Sequence, residues 1–173
     1  MAAPVAVEPN RDALFERVAS EYTGLISRIA LSYEADTSLR HELVQDILLA
    51  IWLALVSYRG ESSLKAFVAS IAQKRAITHV TRRAREPRQV QLPEDLRSYA
   101  LLPDEIAVRN DMKRQVVESI QLLPIPQREA IVLCFEGFSY AEVGEVLGIS
   151  PNAAMLRCSR AKTALKSILD RRT

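Results

Sequence analysis

Two capped helices with a tight turn between them are predicted by the last part of the sequence. Ser139 and Glu142 form a capping box at a helix start. In it, the hydroxyl and the carboxylate each accept a hydrogen bond from a backbone N–H that has no partner within the helix. Gly148 suits the left-handed residue that ends such a helix. Ser150 can then cap a second helix, and Pro151 fits its first turn, where a missing N–H costs nothing. This spacing predicts a helix-turn-helix.

The second of these helices has two different faces when its residues are placed at about 3.6 per turn. One face is small and apolar and is expected to lie inward: Ala154, Cys158, Ala161 and Leu165. The other face and its flanks are partly basic and partly apolar: Met155, Leu156, Arg157, Ser159, Arg160, Lys162 and Thr163. A basic face alone is most often a solvated face. Together with the tight turn and both caps, it favours DNA contact.

The composition favours an all-α protein with two basic zones. Only 5 of the 173 residues are glycine, 49% are hydrophobic, and the apolar patterns are helical. The net charge is only +2, but the stretch from Lys74 to Arg88 holds six basic residues and one acidic residue. An acidic stretch separates it from the basic helix-turn-helix. This distribution predicts two places where a polyanion can lie.

The helical periods predict two small helical domains joined by a proline-containing linker. Residues 11–86 form a three-helix domain, residues 87–102 the linker, and residues 103–173 a four-helix domain that ends in the helix-turn-helix. Within the first domain, one helix runs from about residue 11 to 33 with a possible break near Gly24. A second helix is capped by Ser38 and reaches about residue 58.

That second helix is apolar on nearly every side. Ile47 to Val56 are ten apolar positions in succession, about half of what a membrane span needs. A helix that is hydrophobic all round is either buried or covered by a partner, and both interpretations stay open here. The first residues do not have the pattern of a signal peptide. We therefore expect a cytoplasmic chain without membrane insertion.

Enzyme chemistry, metals and cofactors are not predicted. The sequence has no glycine-rich phosphate loop, no nucleophile–base set and no paired carboxylates at a useful spacing. His41 and His79 are isolated in the sequence. Cys134 and Cys158 have no metal-type spacing, and their apolar surroundings favour two reduced thiols in a core. We expect a protein that is not an enzyme and has no cofactor.

Several segments, in this order, resemble the extracytoplasmic-function sigma factors of bacterial RNA polymerase. The first is an acidic, glutamine-containing helix that runs from His41 to Trp52. The second is an aromatic-Arg-Gly-acid loop from Tyr58 to Glu61, followed by a helix with a basic end at Thr81 to Arg85. The third is Leu122 to Arg128, and the helix-turn-helix completes the set. Each motif alone is common, but the ordered set is specific.

The resemblance implies an alternative sigma factor that binds core RNA polymerase, directs it to promoters and is often held inactive by an anti-sigma factor. It implies polymerase-binding residues Gln45, Asp46 and Trp52. It implies that the downstream promoter element is read and melted by Tyr58, Arg59, Gly60, Glu61, Lys74, Arg75, His79, Arg82 and Arg83. It implies that the upstream element is read as duplex by Ser150, Asn152, Met155, Leu156, Arg157, Ser159, Arg160 and Lys162.

Two other functions remain open from the residues themselves. A DNA-binding regulator that never touches polymerase would explain the helix-turn-helix, but it leaves the apolar helix and the first basic zone without a role. A helical protein-interaction adaptor would explain the apolar helix, but not the basic face of Arg157, Arg160 and Lys162.

Overall fold

The computed structural model describes residues 11–85 and 104–171, and it is all-α in that part of the chain. The predicted linker, residues 87–102, lies outside the described residues. The helices are α1 (Arg11–Glu21), α2 (Thr23–Tyr33), α3 (Thr37–Ala54), α4 (Leu64–Arg85), α5 (Asp104–Gln121), α6 (Ile125–Phe135), α7 (Tyr140–Leu147) and α8 (Pro151–Asp170).

The first module has four helices rather than the three that the sequence predicted, because the first predicted helix is two. The chain leaves helical geometry at Tyr22, where φ is −119° and ψ is 4°. The break comes two residues before Gly24, where the sequence suggested one. α2, α3 and α4 then pack around a core that includes Ile26, Ile47 and Val68.

α3 begins at a different cap from the one predicted. Asp36, not Ser38, is the N-cap, and its carboxylate accepts a hydrogen bond from the backbone N–H of Leu39 at 2.9 Å. Ser38 lies one residue inside the helix. After Ala54 the chain continues as a short 3₁₀ turn over Leu55–Ser57.

α3 buries one face and leaves another uncovered. Leu43, Ile47 and Ile51 are buried in the module core. On the opposite side, Leu49 (56%) and Leu53 (59%) are mostly exposed, and so is Val56 (62%) in the 3₁₀ turn that follows α3. Part of the apolar sequence is therefore explained by burial, and part is not.

The second module packs α6, α7 and α8 around Ile131, Leu133 and Val143, with α5 against α8. The two cysteines that the sequence predicted as core thiols lie next to each other, Cys134 on α6 and Cys158 on α8, with their Cα atoms 7.1 Å apart. The two positions are 24 residues apart in sequence, and only the packing of α6 against α8 brings them together.

The two modules pack against each other. α2 and α4 of the first module contact α5, α6 and α7 of the second. Two glutamine side chains cross this interface: the Gln73 amide donates to the Glu129 carbonyl at 3.3 Å, and the Gln121 amide donates to the Leu31 carbonyl at 2.8 Å. Buried Gln73 also accepts a hydrogen bond from the Tyr33 hydroxyl at 2.6 Å. The linked modules form one continuous core.

Candidate nucleic-acid interface

The first helix of the helix-turn-helix has the predicted capping box. The backbone N–H of Ser139 donates to the Glu142 carboxylate at 2.7 Å, and the Glu142 N–H donates to the Ser139 hydroxyl at 3.3 Å. The backbone N–H of Ser139 also lowers the pKa of Glu142. At the other end, Gly148 takes a left-handed conformation with φ of 66°, as predicted.

Gly144 is a second glycine that the helix-turn-helix needs, and sequence reasoning missed it. A Cβ at this position would lie 2.7 Å from the Ile149 carbonyl oxygen and 3.3 Å from the Pro151 nitrogen. Backbone from the turn therefore passes directly over α7, and only a residue without a side chain fits. The sequence feature that could have revealed this role is a glycine on the buried face of a predicted helix, where a larger apolar residue is expected.

α8 presents the predicted faces. The Ser150 hydroxyl accepts from the Ala153 N–H at 3.1 Å and caps the helix. The predicted inward residues Ala154, Cys158, Ala161 and Leu165 are all buried. The exposed members of the predicted upstream set are Ser150, Asn152, Met155, Leu156, Ser159, Arg160 and Lys162.

Arg157 differs from its neighbours on α8. It is half-buried, and its charge acts on Glu129 of α6. Burial raises the pKa of Glu129, and Arg157 opposes that rise. Arg157 is therefore partly directed toward the module core rather than fully outward.

The loop between α3 and α4 is shaped by Tyr58 and Gly60. The Tyr58 hydroxyl donates to the Ser62 carbonyl at 2.6 Å, and its ring centroid lies 4.7 Å from that of Phe67. Gly60 has φ of 74°, which favours glycine. Arg59 and Glu61 are exposed on either side of it. The ring of Tyr58 is half-buried, so one side is packed and the remainder is accessible.

α4 carries the predicted basic residues on two different surfaces. Lys74, Arg75 and Arg82 are exposed. His79 is instead buried, and its Nε2 lies 2.8 Å from a carboxylate oxygen of Glu34. In this structure the His79 ring faces the protein interior and not solvent, so its predicted contact with DNA is not available here.

Arg83 shares the same buried acid. Its guanidinium donates to Glu34, whose side chain is almost wholly buried. Burial by itself raises the pKa of Glu34, but hydrogen bonds from His79, from Arg83 and from the Asp36 backbone N–H together hold that pKa below its ordinary value. The cluster ties the basic end of α4 to the end of α2.

The predicted polymerase-binding residues lie on α3. Gln45 and Asp46 are exposed. Trp52 is half-buried: its ring packs edge-on against Phe15 at 5.1 Å between centroids, and the Arg11 guanidinium lies 3.6 Å above it. Trp52 therefore joins α1 to α3 and offers only part of its surface to a partner.

Metal-type clusters and membrane spans are both absent from the described ranges. There, no group of three or more His, Cys, Asp or Glu side chains could hold a metal ion. No helix in the same ranges is both long enough and apolar enough to cross a bilayer.

Two family models match the chain, one on each module. Residues 18–86 match sigma-70 region 2, and residues 113–165 match sigma-70 region 4. Together they cover most of the chain. The region 2 match lies in the first module and the region 4 match lies in the second.

Relatives and solved structures agree with these matches. The extracytoplasmic-function sigma factor SigX of Bacillus subtilis is 28% identical over 142 residues, which is 78% of this chain and 73% of SigX. The structure of CnrH in complex with the cytosolic domain of CnrY has a TM-score of 0.69 and 25% identity, and the match covers 95% of this chain and 92% of CnrH. The sigma factor RpoE of Bartonella quintana, solved with the anti-sigma factor NepR, has the same fold, with a TM-score of 0.67, 23% identity, and coverage of 92% and 98%.

Sigma-70 region 2 on the first module, followed by sigma-70 region 4 with its helix-turn-helix on the second, defines a sigma factor. The chain belongs to the sigma-70 family, as an alternative sigma factor of the extracytoplasmic-function group that directs transcription initiation.

Proposed function

We propose that three separate surfaces divide the work of this sigma factor. The outer face of α3 binds core RNA polymerase, the loop after α3 and the exposed side of α4 bind the melted downstream element, and α8 reads the upstream element. One observation carries the proposal. The chain exposes a helix-turn-helix, a second basic face and an apolar stripe on different helices at the same time.

The polymerase surface combines an acid with apolar side chains on one side of α3. Asp46, Leu49, Leu53 and Val56 follow at intervals of three or four residues, and all are exposed. Such spacing places Asp46, Leu49 and Leu53 on one face of α3, and Val56 follows in the 3₁₀ turn. Scattered exposed leucines need no explanation, but a continuous apolar face is typical of an interaction site. Gln45 extends this face, and Trp52 borders it through its packing on α1.

The downstream surface suits single-stranded DNA. Lys74, Arg75 and Arg82 place positive charge along the exposed side of α4, where phosphates can follow it. Tyr58 supplies an aromatic ring that its hydroxyl and Phe67 hold in position. Unpaired bases stack on such rings. Arg59, Gly60 and Glu61 shape the edge of the same loop.

Arg83 and His79 contribute differently in this proposal. Both hold buried Glu34 and so fix the end of α4 relative to α2. The Arg83 side chain is still 42% exposed and can also contact a phosphate. His79 acts as a positioning residue.

An inhibitory protein partner is also part of the proposal. RpoE of Bartonella quintana was solved with the anti-sigma factor NepR. In this chain, the exposed stripe of Leu49, Leu53 and Val56 would be covered by such a partner, which would then compete with polymerase.

We place the protein in the cytoplasm, where polymerase is, and assign it no enzymatic activity and no cofactor.

The decisive experiment is reconstitution with core RNA polymerase. We expect the purified chain to co-elute with the core enzyme and to start RNA synthesis at a defined site on promoter DNA. Binding to DNA without co-elution would instead indicate the regulator that does not use polymerase. Failure to bind both core polymerase and promoter DNA would instead favour the protein-interaction adaptor.

A further inference from the structure

Two large apolar side chains lie in the second turn of α8, on its outward side. Met155 is 41% exposed and Leu156 is 46% exposed. Leu156 lies one helical turn after Asn152 and one turn before Arg160, both of which are exposed. Ser159 is exposed beside it. An apolar side chain is therefore surrounded by polar and basic groups on a face that the fold does not cover.

The fold leaves Leu156 no core to join. The buried side of α8 is formed by Ala154, Cys158 and Ala161, each with no exposed surface. At about 100° of rotation per residue, Leu156 is on the opposite side from Ala154. The Ser150 cap fixes the first turn of the helix, so this outward direction is held by the structure.

We propose that Leu156, assisted by Met155, makes the upstream element specific for a thymine by contacting its C5-methyl group. This inference rests on the function proposed for α8. A leucine has no donor or acceptor, so it can distinguish base pairs in the major groove only by apolar contact and shape. Thymine is the base that presents a methyl group there.

The neighbours of Leu156 place this thymine within the element. Asparagine commonly pairs with adenine and arginine with guanine in the major groove. Asn152 and Arg160 flank Leu156 along the same face, so the thymine lies between the base pair that Asn152 contacts and the base pair that Arg160 contacts. Lys162, exposed at the flank, provides charge toward the DNA backbone. These basic groups favour DNA over an apolar protein partner as the occupant of this face.

The test uses the full chain with core RNA polymerase. The upstream element is first selected from a randomised promoter library by the initiating complex. Each thymine of that element is then replaced singly by deoxyuridine, which removes only the methyl group, and promoter affinity is measured. Wild type is compared with Leu156→Ser and Leu156→Ala, after circular dichroism shows that both are folded. Leu122→Ser is the matched control, because Leu122 is an exposed leucine at the end of α5.

One replacement is expected to weaken binding of the wild type and of Leu122→Ser about fourfold, the equivalent of about one buried CH₂. The same replacement should have no effect on either Leu156 variant. The inference is overturned if the element holds no thymine, or if every replacement affects wild type and the Leu156 variants equally. If the complex never initiates at a defined site, the proposed function fails and this inference fails with it.

Discussion

Arg28 on α2 is joined to Glu136 at the end of α6, 108 residues further along the chain. Arg28 Nε donates to one carboxylate oxygen at 2.6 Å, and its terminal nitrogen donates to the other at 2.8 Å. The Glu136 side chain is only 11% exposed, and the Glu136 carbonyl accepts from Lys65 Nζ at 2.8 Å. The hydrogen bond to Glu136 raises the pKa of Arg28. Residues from both modules therefore meet at one acid.

We predict that Arg28→Glu loosens the contact between the modules. It places two carboxylates together and removes a two-point contact, which should cost about 1 kcal/mol because Arg28 itself is largely exposed. The measurement is energy transfer between one dye on each module. Arg28→Glu combined with Glu136→Arg should recover the wild-type value. Arg17→Glu, which breaks a pair inside α1, is the control and should leave the dye distance unchanged.

Asp46→Arg is predicted to weaken binding to core polymerase without unfolding the chain. Asp46 is exposed on α3, so the fold does not depend on it. If polymerase buries Asp46 in a charge pair, loss of that pair should cost about 2–5 kcal/mol of binding free energy. A pull-down titration measures the affinity, and Glu16→Arg makes the same charge change on α1. Equal affinity for the two variants would contradict the assignment of this face.

Neutralising Lys74 and Arg82 together is predicted to reduce both open-complex formation and its dependence on salt. For each single-strand phosphate that the protein no longer neutralises, the slope of log affinity against log salt should fall by about 0.7. Lys113→Gln on α5 is the control. Open-complex formation is followed over a range of salt concentrations. An unchanged slope would show that these side chains do not lie on DNA.

Stability is predicted to fall at acid pH because of Glu34. Its folded-state pKa is lowered below the ordinary value of 4.5, so its contribution is fully present above that value and is lost as the pH falls toward the folded pKa. The free energy of unfolding, measured with denaturant, should therefore fall below about pH 4.5 in the wild type. It should fall less in Glu34→Gln. The same substitution at exposed Glu42 should leave the decline intact.

Gly144→Ala is predicted to destabilise the second module. The new methyl group would overlap backbone at Ile149, and the required shift should cost about 1–3 kcal/mol. Gly24→Ala is the contrasting control, because its Cβ would lie 3.0 Å from a side-chain nitrogen of Arg28 and not against backbone. It should cost less stability than Gly144→Ala, because a side chain can shift more easily than backbone. Thermal or denaturant unfolding compares the two, and similar decreases in stability would contradict this account.

Local signals in the sequence predicted the helix-turn-helix well. The Ser139 capping box, the left-handed Gly148, the Ser150 cap and the buried side of α8 are all confirmed. Each depends on groups within one or two helical turns, so short spacings contain the information. The start of α3 was missed because Asp36 and Ser38 are both good caps, and spacing alone does not choose between them.

The sequence by itself determined the helical class, the order of the segments and the family, because periodicity, caps and motif order act along the chain. Tertiary structure alone decided which side of α3 stays uncovered, that Glu34 holds His79 and Arg83, and that the modules meet at Glu136. Glu34 is more than 40 residues from His79 and Arg83, and Arg28 is 108 residues from Glu136. The charge or apolarity of a residue does not indicate which distant side chain it will contact. Packing selects the partner, because a buried acid must be hydrogen-bonded and an apolar face must find either a core or another molecule.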